Sequence, residues 1–313
     1  MKSRVAWLFL LLFTPSFGCV SNGDTTAEGT NSWPCYTLSA EKVWQLNTPN
    51  NQRFDASGLL QKGNKLFTVN DRDPVLCEIQ VVEDSDSAEI VIVPEVFTAA
   101  QLAKFSKEKS GRFDCEGIAQ DSKGRIYYCE EGNRWILRFD PKTKNVERLP
   151  IDWSLVENQF HRTDRNASFE GIAIGDGKLF VANERQAGRI IVLDLKTLKI
   201  LDDFTVRPTK TQMKDIHYSD LCWFDGALFA ILRENRVIVK IDPKQRRIVA
   251  EYNFHAMEQQ DHLAYRVMYP TSTMEGLAVD KNYFWLITDN NGWGRKAFPE
   301  DTRSTLFKSR RPD

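Results

Sequence analysis

Three glutamates stand at matching places in near-copies of one phrase. The copies are Cys115-Glu116-Gly117-Ile118-Ala119, Phe169-Glu170-Gly171-Ile172-Ala173 and Met274-Glu275-Gly276-Leu277-Ala278. Weaker copies, Ala56-Ser57-Gly58-Leu59-Leu60 and Tyr218-Ser219-Asp220-Leu221-Cys222, put Ser57 and Ser219 at the same place. If the units that carry these phrases repeat around an axis, five oxygen-bearing side chains converge. Carboxylates held that close repel and resist desolvation, so protons, basic partners or a cation must neutralise them. Carboxylate and hydroxyl oxygens are hard donors that suit calcium, and the two serines moderate the charge. Calcium held by Ser57, Glu116, Glu170, Ser219 and Glu275 is the chemistry this pattern predicts. The alternative is that each glutamate caps backbone amides between units and binds no ion.

A second polar set follows the next apolar run of each unit. Asp71, Glu131, Glu184 and Asp289 are carboxylates that could activate a water beside an ion. Arg72, Arg134, Arg185, Arg233 and Arg236 could clamp a phosphate or carboxylate through the planar guanidinium fork. Each arginine also has an acidic neighbour in sequence, so a mutually paired girdle that orders the loops is the competing reading.

The elements that must position these residues read as strands. The lead residues step by 59 (57 to 116), 54 (116 to 170), 49 (170 to 219) and 56 (219 to 275), a propeller-like period. Each phrase leads through a polar turn to a second apolar run at 66–70, 126–130, 179–183, 228–232 or 284–288. Third runs lie at 76–82, 135–140, 190–194 and 237–242, and fourth runs at 90–93, 145–149, 200–204 and 248–254. The runs are short, rich in β-branched and aromatic residues, and broken by Gly, Asn, Asp and Lys. Four antiparallel strands make a blade, and radial repetition protects blade edges. The predicted fold is an all-β, five-bladed β-propeller with four-stranded antiparallel blades; six blades is the alternative. The last unit lacks a fourth strand, and the segment 36–46 could supply it and close the ring. Segments 97–105 and 152–160 read as helical or irregular insertions near the mouth.

The 313 residues carry 42 basic and 43 acidic side chains, a net charge of −1. That balance gives no reason to expect a nucleic-acid partner. Residues 1–19 read as a lipoprotein-type signal peptide: Lys2 and Arg4, an apolar core too short to span, then small residues before Cys19. Cys19 in that setting resembles the lipidated cysteine of bacterial lipoproteins. An ordinary cleaved signal, giving a soluble periplasmic or secreted protein, is the alternative. Val20 after the cysteine argues by the same resemblance for the outer membrane. Residues 20–33 read as a flexible tether and 34–313 as one propeller domain. Membrane contact is then through the anchor alone, on a monomer. Five further cysteines (Cys35, Cys77, Cys115, Cys129 and Cys222) cannot all pair. They read as buried thiols in strands, with a Cys115–Cys129 bridge sterically conceivable as the alternative.

The phrases at Asp114–Ala119, Ser168–Ala173 and Thr273–Ala278, each followed by a strand ending in Glu, Asn or Asp, resemble two related groups of bacterial propellers. One is described as esterase-like activity of phytase, the other is the SdiA-regulated family. The order Ser-Glu-Glu-Ser-Glu is also similar to the soluble calcium-activated nucleotidases (apyrases). There a five-bladed propeller holds one calcium on its axis, and the resemblance implies that role for Ser57, Glu116, Glu170, Ser219 and Glu275. Two functions are expected from different classes. One is a calcium-binding propeller that takes an anionic small molecule or a protein partner at its mouth. The other is a calcium-dependent hydrolase of phosphate or other esters.

Overall fold

Consecutive apolar runs of each repeat form one antiparallel meander. The computed structural model describes residues 33–109, 111–164, 167–184, 188–209, 216–269 and 271–313. The expected signal peptide with Cys19, nearly all of the tether and Arg185 lie outside them. Strands β1 (Cys35–Thr37) and β2 (Ala40–Asn47) precede the first repeat. The first repeat is β3 (Ala56–Lys62), β4 (Lys65–Asn70), β5 (Asp73–Val81) and β6 (Ser87–Ile92). The second is β7 (Cys115–Gln120), β8 (Ile126–Glu130), β9 (Trp135–Asp140) and β10 (Asn145–Arg148). The third is β11 (Phe169–Gly175), β12 (Lys178–Asn183), β13 (Arg189–Asp194) and β14 (Ile200–Phe204). The fourth is β15 (Tyr218–Phe224), β16 (Ala227–Leu232), β17 (Val237–Asp242) and β18 (Arg247–Asn253). The last holds β19 (Met274–Val279), β20 (Tyr283–Thr288) and β21 (Thr305–Arg310).

The segment 36–46 divides. β1 lies parallel to β18, while β2 pairs antiparallel with β21 as the missing fourth strand and runs parallel to β6 beyond it. The first strands pack on one another in turn, and β19 returns to β3. The fold is a β-propeller with four-stranded antiparallel blades. The insertions at 97–105 and 152–160 carry short helical turns, Ala99–Leu102, Ala103–Phe105 and Ser154–Gln159.

The turns explain their own sequences. Asp140, Asp194, Asp242 and Asp280 each accept backbone N–H bonds from the residues two and three further on, at 2.6–3.4 Å. An aspartate in that place mimics a backbone turn and starts the next strand. The apolar faces then bury against the neighbouring repeat. Val69 and Leu76 pack with Ile118 and Tyr128, Tyr127 with Ile172 and Leu179, and Phe180 with Tyr218 and Leu228. Phe229 and Tyr252 meet Phe284, and Ile287 and Leu306 meet Leu59 and Ile79. Removing one such side chain to alanine typically costs about 2–5 kcal/mol. The core is therefore a set of seams between repeats, and the seams fix where each first strand points. No helix among the described residues is long and apolar enough to cross a membrane.

Candidate functional site at the mouth

Each first strand carries the same irregularity. The pairing shifts between Ser57 and Leu59, Cys115 and Gly117, Phe169 and Gly171, Tyr218 and Asp220, and Met274 and Gly276. These are β-bulges, which insert one residue and re-aim its side chain. The residue so placed is Glu116, Glu170, Ser219 or Glu275, with Ser57 beside the bulge of β3. The glycines that follow allow the close approach. A Cβ on Gly58 would lie 2.9 Å from Gly117 Cα, one on Gly117 3.0 Å from Gly171 Cα, and one on Gly171 2.7 Å from Asp220 Cα. A Cβ on Gly276 would lie 2.8 Å from the Gly58 carbonyl carbon, so backbone packs on backbone around the ring.

Asp220 departs from the glycine pattern. Its buried carboxylate accepts the N–H of Leu277 (2.7 Å), Leu59 (3.3 Å) and Leu221 (2.8 Å), tying the fourth, fifth and first repeats together. Burial holds it well above the usual carboxylate range against those three bonds.

A second tier is set by a repeated backbone bond. The N–H of Asp71, Glu131, Glu184, Arg233 and Asp289 donates to the carbonyl of Asp55, Asp114, Ser168, His217 and Thr273 respectively. Each bond joins the residue just past the second strand to the residue two before the ring position. The four candidate catalytic carboxylates are thus equivalent positions, and Arg233 is the fifth. Arg72 and Arg134 stand further on in their turns.

The structure brings seven of the fourteen expected site residues onto one wall, Arg233 among them, and Glu131 is not part of it. Glu116, Glu170, Glu275, Asp71, Glu184 and Asp289 line one depression of about 420 Å³. Arg112 and Arg233 line it too. Ser57 and Ser219 are buried and absent from that wall; the Ser219 hydroxyl donates to the Met274 carbonyl at 2.9 Å. Asp71, Asp114 and Glu116 offer oxygens within 4.8 Å of one another, as do Glu131, Glu170 and Glu184. The ring glutamates therefore share one mouth but face different partners. Glu116 belongs to a half-buried triad, Glu170 to a buried one, and Glu275 meets Arg233.

The arginines are engaged. Arg233 donates to both Glu275 and Glu184 and lies 3.6 Å from Glu234. Arg72 faces Asp55 at 3.5 Å, and Arg236 faces Glu258 at 2.9 Å. Arg134 donates to Ser168 Oγ (3.2 Å) and the His161 carbonyl (2.8 Å), with its guanidinium over the Phe160 ring. Neither Arg134, Arg72 nor Arg236 lines the depression. Sequence reasoning missed Asp114, Arg112 and Asp220. Asp114 was visible in the phrase that opens β7, and Asp220 as the residue that breaks the glycine pattern.

The electrostatics are those of crowded acids. Burial, then repulsion from Asp55 and Asp114, pushes Asp71 up to about 7. Burial pushes Glu131 up to about 8, and Glu184 and Asp114 add to the rise. Glu275 is pushed up to about 7 by burial although Arg233 opposes the shift. Glu116, Glu170 and Asp289 are held well above the usual range, again chiefly by burial and then by neighbouring carboxylates. Burial opposes the charge of Arg233, but Glu275, Glu184 and Glu170 keep it protonated. At neutral pH such a mouth stores protons that a bound cation would displace.

A search of curated proteins found no match. Among solved structures, the chain is similar to Myxococcus xanthus glutaminyl cyclase, at 14% identity and a TM-score of 0.58, covering 89% of this chain and 98% of that one. It also matches the PQQ-bound aldose sugar dehydrogenase of Streptomyces coelicolor, at 12% identity and a TM-score of 0.46, covering 87% and 97%. At such identities the glutaminyl cyclase match speaks for the fold alone, and the dehydrogenase match carries no further argument. The model of the phytase-like family described as esterase-like activity of phytase matches residues 55–292. The repeated Glu-Gly phrases and the strands that carry them fall inside that span, and the chain belongs to this family.

Proposed function

We propose that the mouth binds a divalent cation, calcium by the character of its donors, and uses it to hold an anionic ligand. The observation that carries this reading is the pair of carboxylate triads, each with oxygens within 4.8 Å of one another. Such clusters are costly unless protonated or neutralised by a cation, and all-oxygen donor sets favour hard ions. The residues fit: Asp71, Asp114 and Glu116 would hold an ion near solvent, or Glu131, Glu170 and Glu184 a deeper one. A bound calcium would supply positive charge to an anionic ligand and polarise its phosphoryl or carbonyl oxygen. The ligand would be held chiefly through the cation, because Arg72, Arg134, Arg233 and Arg236 already have partners, with Arg112 on the same wall as the guanidinium able to assist.

The test is calorimetric titration of the full chain with calcium and with magnesium, beside Glu170→Gln and Glu116→Gln. Calcium binding lost in one of these variants is the expected result. No heat and no bound metal in the wild type would sink the reading.

Asp71 favours the second reading, a calcium-dependent phosphoesterase or esterase. It is half-buried, lines the mouth and is pushed up to about 7, chiefly by burial. A carboxylate poised there can take a proton from water at neutral pH. A panel of phosphate and carboxylate esters, with and without chelator, decides it. Export and anchoring through Cys19 belong to the same proposal. Cys19→Ala should move the protein from the membrane to the soluble fraction.

A further inference from the structure

We propose that the outer part of the mouth is a binding site for an organic ammonium ion with an aromatic or apolar body. The first observation is an acceptor that lacks a donor. Asn290 is 1% exposed and lines the mouth. Its Nδ2 donates to the Trp293 carbonyl (2.5 Å) and the Thr302 carbonyl (2.9 Å), which fixes the amide's orientation. Its Oδ1 is then buried without a partner. Asp71 Oδ1, on the same wall, is likewise buried and unpartnered. A buried acceptor left unpaired is destabilising, so a ligand donor that reaches it is favoured there. An anion beside Asn290 would meet unpaired acceptors and the carboxylates of Asp71 and Asp289, with Arg112 and Arg233 as the basic groups of the same wall.

The second observation is an apolar edge beside those acceptors. Tyr269 is 71% exposed, Met268 70% and Trp293 41%, and all three line the mouth. Trp293 is held by the turn that holds Asn290, since its N–H donates to the Asn290 carbonyl at 2.8 Å. One turn therefore carries Asn290 and Trp293, both of which line the mouth. A bare metal ion would use the oxygens and leave this edge idle. An ammonium carries three donors and a charge that the Asp71–Asp114–Glu116 triad can neutralise. Its organic body would lie on Trp293 and Tyr269, where aromatic pairing and apolar burial favour it. About 420 Å³ suits a small molecule or the amino end of a larger one. Calcium on the Asp71–Asp114–Glu116 triad would compete for this site, so the amine is read in chelator as well as in calcium.

The experiment is calorimetry on the full chain with 2-phenylethylamine, ethylamine and phenylacetate, each in calcium and in chelator. 2-Phenylethylamine should bind in chelator, ethylamine about tenfold more weakly, and phenylacetate not at all. Trp293→Ala should reduce the affinity for 2-phenylethylamine about tenfold and leave ethylamine unchanged. Asp71→Asn should weaken both amines, with unfolding curves confirming that each variant is folded. Amine binding without calcium binding would support this site and defeat the divalent-cation reading. Calcium binding with no amine binding in chelator would do the reverse. Equal affinity for phenylacetate, or wild-type amine affinity in both variants, would also overturn the ammonium site.

Discussion

Arg233 donates to Glu184, the side chain that holds in the third repeat the position Arg233 holds in the fourth. One member of a ring of acids has become a guanidinium that neutralises the member beside it. The same group reaches Glu275, so a single cation serves both tiers of the mouth.

Arg233→Met should therefore be severe. It would remove the guanidinium that both Glu184 and Glu275 meet, and breaking a buried pair from one side costs about 3–5 kcal/mol. Arg233→Lys keeps the charge but loses the planar fork, so it should recover part of that stability. Denaturant unfolding of the two variants checks the order. Equal stability of wild type and Arg233→Met would mean that the two acids are simply protonated.

Stability in chelator should fall as pH rises. Asp71 and Glu275 are pushed up to about 7 and Glu131 to about 8, mainly by burial. The folded state thus binds protons that the unfolded state, with ordinary carboxyl groups near 4, has already released. Their contribution is fully present below about pH 4 and is lost as pH climbs through 7 to 8. Melting temperatures in chelator at about pH 5 and about pH 8.5 should differ in that sense, and Glu131→Gln should flatten the difference. A melting temperature that rises over this window would contradict the crowded-acid description of the mouth.

Asp220 offers a separate check on the closure of the ring. Its carboxylate satisfies the N–H groups of Leu59 and Leu277 from the two repeats beyond its own. Asp220→Gly restores the repeat phrase but strands those donors, at about 1–3 kcal/mol for each. Asp220→Asn keeps an acceptor and should cost less. Unfolding curves in which the glycine variant is as stable as wild type would show that the amides find other partners.

The repeat was legible because its physics is local. A glycine after a bulge, an apolar pair and an aspartate-led turn recur at Gly117, Gly171 and Gly276 and at Asp140, Asp194 and Asp242. Each is dictated by its own strand and turn. The convergence of Glu116, Glu170 and Glu275 on one mouth followed from that recurrence. What each side chain touches did not follow. Arg134 looked equivalent to Arg233 in sequence, yet it lies over Phe160, which the insertion after the second repeat places beside it. Arg233 looked like a rim arginine, and only the backbone bond to His217 shows that it shares a register with Asp71 and Glu184. Partners of long side chains depend on turn lengths and insertions, which a repeat phrase does not encode.

Calcium linkage separates the two triads. If the ion binds the folded state alone, a hundredfold excess over its dissociation constant adds about 2.7 kcal/mol of stability. The gain should be larger at about pH 8 than at about pH 5.5, because the ion must displace protons that the raised carboxyl groups hold at lower pH. Glu170→Gln weakens the buried triad with Glu131 and Glu184, while Glu116→Gln weakens the half-buried one with Asp71 and Asp114. The variant that loses the calcium-dependent rise in melting temperature identifies the triad that holds the ion. Loss in both would fit the single axial ion that the ring pattern predicts, with Glu116 and Glu170 both as ligands. Melting curves that ignore calcium in wild type and variants alike would leave the acids as proton-holding groups, and the divalent-cation reading of the mouth would fall.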